Sequence, residues 1–177
     1  MPTLEELRYP IGTFTRPEVV SPEQFDAYVD EIERLPHDLR ESVAGLTDAQ
    51  LDTSYREGGW TLRQVVHHLF DSHANSYIRL KLALTEDNPT IKPYDETTWA
   101  ELDDAKHAPV ELSLGMLDGL HKRWVMNLRK LTPQQRKRTF LNPETRVSSI
   151  EQNAALYAWH GKHHVAHITG LRKRMGW

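Results

Sequence analysis

At 177 residues, with 38% hydrophobic and 27% charged side chains and a formal net charge of -3, the chain has the size and composition of a single domain, residues 1–177. The near-neutral charge, without a long basic run, argues against nucleic acid or an anionic membrane as a partner. The absence of cysteine excludes disulfides and thiolate metal sites. The lack of a long apolar run or a signal-peptide core predicts a cytoplasmic protein without a membrane span.

The first third of the chain alternates an arm with helical segments. Residues 1–20 contain three prolines and little periodicity, so we predict an extended arm rather than a helix. A helix then begins at Ser21, which opens a capping box, a Ser or Thr followed three residues later by Glu or Gln. Its apolar residues step by threes and fours to Leu46, and Pro36 should bend or break it. A second capping box at Thr47 predicts a short helical turn.

A second long helix is predicted from the capping box at Thr61 to about Leu84. Within it, His68 lies on the strongest apolar stripe, whereas His67 lies about 100° further round the helix. His68 should therefore point inward, and Asp71, one turn on, could orient its ring through the other nitrogen. The doubled histidine leaves the opposite choice, with His67 inward, open.

Prolines and acidic residues from Glu86 to Pro109 predict a long connection with a short helical turn around Trp99. A connection of this length in a compact domain is typically functional. The third long helix follows Pro109 and carries His121 on its apolar stripe. That side chain is either a core residue bonded to a neighbour or part of the same cavity as the other histidines. A short basic helix and a loop or small hairpin over residues 140–147 lead to the last helix.

The last helix, which opens at Ser149, contains four of the ten histidines within eight residues: His160, His163, His164 and His167. Positions three and four apart share a helix face, so these four lie on one stripe with apolar residues. Several imidazoles on an apolar face need polar partners once water is removed, and a metal ion would supply one.

A metal site can be assembled from these residues. His160 and His164 have the i, i+4 spacing that chelates a transition metal. Gly161 stands where zinc proteases of this spacing have Glu, so the chain is not such a protease. A third ligand must come from elsewhere, and we predict His68, with one Zn²⁺ or Ni²⁺ ion per chain. The further candidates, for orienting the ligands or lining the cavity, are His67, Asp71, His121, His163 and His167.

Four long helices, no convincing strand and a long connection between the second and third helices predict an all-α four-helix bundle. In such bundles, metal sites are built from side chains on facing helices. His68 on the second helix and the pair on the last helix would meet in this way.

Motifs along nearly the whole chain resemble those of the DinB-like superfamily, and within it the YfiT-type group of metal-dependent hydrolases. The matching stretches are Arg8-Tyr-Pro-Ile-Gly12, Gly59-Trp60-Thr61 with His68-Leu69 and Asp71, Trp159 to Ile168, and Arg174-Met-Gly-Trp177. The resemblance implies a DinB-type bundle, a divalent metal held by three histidines, and a homodimer. The family's pattern of one ligand on the second helix and two on the last corresponds to His68, His160 and His164.

Three neutral imidazoles leave the charge of a divalent ion uncompensated and positions open, as in catalytic sites. We therefore expect a hydrolase that activates water against a small-molecule substrate. The resemblance also covers S-transferases that use low-molecular-weight thiols such as bacillithiol, in which the ion would hold a thiolate. The non-enzymatic alternative is a metal-stabilised or metal-sensing bundle, with His163 or His167 as a fourth ligand.

Overall fold

The computed structural model describes residues 2–177. In chain order its elements are α1 (Leu4–Arg8), α2 (Pro22–Val43), α3 (Asp48–Leu51), α4 (Leu62–Thr85), α5 (Glu96–Ala100), α6 (Asp103–His107), α7 (Val110–Leu128), α8 (Pro133–Arg136), β1 (Thr139–Leu141), β2 (Val147–Ser149) and α9 (Ile150–Met175). The long helices α2, α4, α7 and α9 confirm the predicted all-α four-helix bundle. The strands β1 and β2 pair antiparallel as the small hairpin before the last helix.

Capping boxes start most of the helices, as the sequence predicts. In each, a Ser or Thr side chain accepts a hydrogen bond from a backbone N–H three residues on, and the Gln side chain at that position accepts one from the backbone N–H of the cap. The capping residues of α2, α3, α4, α8 and α9 are Ser21, Thr47, Thr61, Thr132 and Ser149. Helix α5 confirms the predicted turn around Trp99.

Two predictions about the first 45 residues are corrected by the structure. The arm is not wholly extended, because Thr3 and Glu6 form a capping box that starts the short helix α1. Helix α2 is not broken, since it runs through Pro36 to Val43. The carbonyl of Ile32, which would otherwise bond the N–H that proline lacks, instead accepts from the side chain of His121 at 2.6 Å.

The interior of the bundle is divided along its length into two apolar clusters. One cluster includes Phe25, Ile32, Leu80, Trp124 and Tyr157. The other includes Leu39, Leu62, Leu69, Leu117 and Ile168. Between the segments that belong to the two clusters lie His73 in α4, His121 in α7 and the histidines of residues 160–167 in α9. These histidines form a polar layer between two apolar layers, whereas His67 and His68 lie within the α4 segment of the second cluster.

Helices α2 and α9 approach closely beside this layer. A Cβ atom added to Gly161 would lie 2.8 Å from Cδ2 of Leu35, well inside contact distance. A larger residue at this position would require the side chain of Leu35 to shift. None of the helices within residues 2–177 has the length and apolar character needed to cross a membrane.

Candidate metal centre

The three predicted ligands come together where α4 faces α9. His160 and His164 lie one turn apart on α9, and His68 reaches them from α4. One ring nitrogen from each lies within 4.8 Å of the other two. The Nε2 atoms of His68 and His160 are 3.2 Å apart. The ring centroids of His160 and His164 are separated by 4.6 Å.

This spacing fits a divalent ion. Two nitrogens bound to zinc at 2.0–2.1 Å in a tetrahedral arrangement are roughly 3.3 Å apart, close to the contact between His68 and His160. The donor set consists of three imidazoles without a carboxylate. Imidazole suits Zn²⁺ and Ni²⁺ alike, and the three rings would leave the ion's positive charge undiminished.

Burial keeps these three rings neutral at physiological pH. Removal from solvent, reinforced by His163, lowers the pKa of His68 to about 4. Burial, with smaller contributions from neighbouring imidazoles, holds the pKa values of His160 and His164 well below the ordinary value of 6.5. A neutral ring has a lone pair for a metal, so the ligands need lose no proton to bind one.

The two adjacent histidines of α4, His67 and His68, lie in different environments. His68 joins the cluster on α9, and its ring packs on Trp60 with the centroids 4.6 Å apart. His67 turns away: its Nδ1 is 2.7 Å from Ser113 Oγ, and its Nε2 donates to the Ala108 carbonyl at 3.1 Å. Both nitrogens of His67 are thereby occupied, one by Ser113 of α7 and the other by Ala108 in the segment before that helix.

The expected role of Asp71 in orienting His68 is wrong. Among the hydrogen bonds of residues 2–177 none joins these two side chains. Asp71 lies four residues after His67 and only three after His68, which places it nearer the His67 face, toward the connection after α4. Burial, with a smaller contribution from Asp104, raises the pKa of Asp71 to about 6.

The two other candidates on α9 differ in their surroundings. His167 stacks on Tyr55, with centroids 4.0 Å apart. Its Nε2 donates to the Arg8 carbonyl at 3.1 Å, and its Nδ1 is 3.4 Å from Nδ1 of His164. His163 stacks on Trp159 at 4.4 Å, and within residues 2–177 its buried Nδ1 has no hydrogen-bond partner.

His121 proves to be a core residue bonded to its neighbours. Its Nδ1 donates to the Ile32 carbonyl, and its Nε2 is 3.1 Å from Nδ1 of His73. It does not line the cleft that opens onto the ligands. Burial, the largest cause, lowers the pKa of His121 to about 4.

Sequence reasoning assigned no role to His73, which the structure places beside the ligands. This side chain is 0% exposed, and its Nε2 is 3.2 Å from Nδ1 of His160. A signal was present, because Leu69, His73, Ser76 and Leu80 follow the i, i+4, i+7, i+11 spacing of a buried stripe. The predicted stripe through His68 shares Leu69 and Ser76 with this one, but His73 itself lies about 140° round the helix from His68.

Two clefts open onto the cluster. The first, of about 420 Å³, exposes His68, His160 and His164 and is walled in part by Tyr94 and Arg79. The long connection before α7 thus lines the cleft, as its length suggested. The second, of about 400 Å³, lies under the arm and shares with the first the side chains of Trp60, Glu96, His163 and His164.

A larger groove of about 760 Å³ lies elsewhere, between α3 and the segment before α7. The buried cation at its base, Arg63, is paired with Asp48 and Asp52, each at 2.7 Å, and donates to the Ala108 carbonyl. These contacts satisfy the hydrogen-bond donors of the guanidinium group. The groove therefore offers a ligand fewer reactive groups than the clefts at the histidines.

Comparison with known proteins places the chain in a family. A model of the DinB superfamily matches residues 31–168. A protein of Bacillus cereus strain G9842 named "Putative metal-dependent hydrolase" is 57% identical over 174 residues, 98% of this chain and 100% of the relative. A protein of Bacillus thuringiensis subsp. konkukian strain 97-27, named in the same way, is 56% identical with the same coverage.

Among solved structures, YfiT from Bacillus subtilis, described as "a probable metal-dependent hydrolase with an unusual four-helix bundle topology", superposes with a TM-score of 0.95. It is 53% identical, and the match covers 97% of this chain and 99% of that chain. The family model spans most of the sequence, and the relatives match it over nearly their whole length. The chain is therefore a member of the DinB superfamily.

Proposed function

We propose that the protein is a metal-dependent hydrolase that holds one divalent ion with His68, His160 and His164. The observation that carries this proposal is the convergence of three neutral imidazoles at the floor of an open cleft. The names of the relatives point the same way. A bound ion of this kind lowers the pKa of a coordinated water and polarises a substrate oxygen.

The surrounding residues suggest how a proton would move. Hydrolysis by water needs an acceptor near the ligands. His167 is poorly suited, because both of its nitrogens are occupied. His163 lines both clefts, and within residues 2–177 its Nδ1 has no hydrogen-bond partner, so this nitrogen is free to accept a proton. Burial lowers its pKa to about 4, which keeps the ring neutral at pH 7 but makes it a weak base. We therefore assign the acceptor role to His163.

A turnover assay tests the hydrolase proposal. Purified protein loaded with Zn²⁺ or Ni²⁺ would be assayed against a panel of small esters, amides and lactones. We expect metal-dependent hydrolysis that is lost in His160→Ala and retained in His37→Ala, a control at an exposed position of α2. Hydrolysis that is equal with and without metal, or unchanged in His160→Ala, would refute the proposal.

The second cleft favours one alternative, transfer of a low-molecular-weight thiol to an electrophile. Two clefts that meet at His164 suit two reactants better than one substrate and water. Assays with an epoxide or alkyl halide, with and without a thiol, distinguish the two reactions. Turnover that requires the thiol would establish transfer and reject the hydrolase.

A purely structural or sensing role has less support. The cluster contains three ligands, whereas closed structural sites usually contain four. The two apolar clusters also provide a core that needs no ion. Metal analysis of the purified protein would identify the ion. We further propose that the protein is a cytoplasmic homodimer, and a molar mass measured by light scattering would test the dimer.

A further inference from the structure

Behind His160 and His164 lie two chains of hydrogen-bonded imidazoles, and each chain ends on a backbone carbonyl. We propose that these chains fix the tautomers of His160 and His164, so that each ring keeps its proton on Nδ1 and directs a bare Nε2 toward the metal position. The inference rests on the proposed metal centre. It makes His73 and His167 positioning residues.

The deep chain runs from His160 through His73 and His121 to the Ile32 carbonyl. A carbonyl oxygen can only accept, so the 2.6 Å contact places the proton of His121 on Nδ1. Nε2 of His121 is then bare and accepts from Nδ1 of His73 at 3.1 Å. Nε2 of His73 in turn accepts from Nδ1 of His160 at 3.2 Å. Nε2 of His160 is left with its lone pair.

This order of protons requires that every ring be neutral, and the surroundings favour that state. His73 and His121 are 0% and 1% exposed. Within residues 2–177 their hydrogen-bond partners are imidazole nitrogens and a carbonyl oxygen, with no carboxylate to balance a second proton. Burying an unpaired charge is costly, so each ring holds a single proton.

Pro36 explains why the Ile32 carbonyl is available deep inside the bundle. In a regular helix the carbonyl of residue 32 accepts from the N–H of residue 36. Proline has no N–H, so this carbonyl lacks its usual donor although α2 continues past it. His121 supplies the missing donor from α7. The proline therefore creates the fixed end of the deep chain.

The shallow chain runs from His164 through His167 to the Arg8 carbonyl at the end of α1. The carbonyl accepts from Nε2 of His167 at 3.1 Å, which leaves Nδ1 of His167 bare. That atom lies 3.4 Å from Nδ1 of His164 and can accept its proton. Nε2 of His164 then also keeps its lone pair, as in the deep chain.

Such partners matter for a metal site because they set which nitrogen of each ligand is available. Loss of a group that bonds the outer N–H of a metal-bound histidine weakens metal affinity by about 10- to 100-fold. In the two chains, this hydrogen-bonded support continues through further imidazoles and ends at main-chain carbonyl oxygens. His68 receives no comparable support from any residue between 2 and 177.

Nuclear magnetic resonance of the ¹⁵N-labelled full chain tests the inference directly, in metal-free and Zn²⁺-loaded protein. We expect the unprotonated nitrogen to be Nε2 in metal-free His73, His121, His160 and His164. In His167 it should be Nδ1, so this residue provides an internal contrast. A proton on Nε2 of His160 or His164, or on both nitrogens of His73, would overturn the proposal.

Substitutions of His73 separate positioning from packing. Phe keeps a ring but removes the acceptor, whereas the Gln side chain can accept from Nδ1 of His160. We expect Zn²⁺ affinity, measured by competition with a chelator, to fall about 10- to 100-fold in His73→Phe and to recover in part in His73→Gln. Phe fills the space of the imidazole better than Gln does, but it leaves Nδ1 of His160 and Nε2 of His121 without partners. If His73→Phe keeps the affinity and His73→Gln loses it, His73 only fills space.

The two tests can fail independently of the proposed function. Tautomers read from metal-free protein depend on neither turnover nor substrate. The expected tautomers without any metal-dependent reaction would leave the two chains standing and refute the hydrolase. Turnover with the opposite tautomers would support the enzyme and reject the chains. His37→Phe, at an exposed position, is the matched control for the effect of a new aromatic ring on affinity.

Discussion

The two sides of the metal centre use the same chemistry at different depths. On the His160 side, the supporting imidazoles are fully enclosed between two apolar clusters and end in the middle of a long helix. On the His164 side, a single imidazole ends on the arm, whose helix α1 contributes no buried residue. The supporting imidazoles on the two sides make the same kind of hydrogen bond but are held with unequal rigidity. His160 should therefore tolerate far less change in its supporting residues than His164.

Removing a ligand should have the largest effect and expose this difference. His160→Ala and His164→Ala should each abolish stoichiometric metal, as measured by elemental analysis. His160→Ala also leaves Nε2 of His73 without a donor in a dry interior, which costs about 1–3 kcal/mol. His164→Ala leaves His167 beside a cleft, where water can replace the lost partner.

Urea unfolding of the metal-free variants measures this difference in stability. The unfolding free energy should fall more in His160→Ala than in His164→Ala, with His37→Ala unchanged. Equal losses of unfolding free energy in the two ligand variants would contradict the difference in depth. A variant that retains metal would show that the substituted histidine is not a ligand.

Acid should destabilise both sides of the metal-free protein. Burial lowers the pKa of His121 on the deep side, and of His167 on the shallow side, to about 4. An unfolded histidine titrates near 6.5. Between these values the unfolded chain binds more protons than the folded one, so stability is full above about pH 6.5 and falls as the pH drops toward 4.

Each such histidine contributes a slope of up to about 1.4 kcal/mol per pH unit. Urea unfolding at several pH values between 4 and 7.5 would measure the slope. A stability that is flat over this range would show that the rings take up protons as readily in the folded protein as in the unfolded chain, and the description of both chains as neutral would fail.

Deletion of the arm tests the shallow side alone. A chain that begins at Pro10 lacks the carbonyl that accepts from His167, and we expect metal affinity to weaken by about 3- to 10-fold. The free energy of unfolding should change by about 1 kcal/mol or less, because α1 buries no residue. Arg8→Ala, which keeps the carbonyl, is the matched control and should bind metal normally. Equal affinity in the deletion and the full chain would show that water replaces the arm.

The smallest expected effect is that of Pro36→Ala, which tests the deep side. The new N–H competes with His121 for the Ile32 carbonyl, so metal affinity should fall about threefold while helix α2 gains a hydrogen bond. Affinity and unfolding free energy would then move in opposite directions. Pro22→Ala, at the first turn of the same helix, creates no such competitor and should leave affinity unchanged. A loss of stability and affinity together would indicate simple disruption.

Local signals predicted most of the fold. Capping boxes and apolar spacing located the four long helices, and the pair on α9 with an inward His68 predicted which rings would meet. The one-turn helix α1 was missed because prolines outweighed the capping box of Thr3. These features depend on residues close in sequence, so the chain alone is informative about them.

The supporting contacts were not predictable in the same way. The bonds from His73 to His121 and from His121 to Ile32 join three helices, and nothing local indicates which nitrogen meets which acceptor. Pro36 was interpreted as a break because its effect was considered only within its own helix. Asp71 was assigned to His68 by spacing, although a one-residue difference places it nearer His67.

The close packing at Gly161 has a consequence for the evolution of this protein. Zinc proteases with the same ligand spacing have a glutamate at the corresponding position, yet here even a methyl group would overlap Leu35. A glutamate at position 161 would therefore require the side chain of Leu35 on the facing helix α2 to move. The two arrangements of ligands are separated at this point by the packing of one leucine as well as by the glutamate itself.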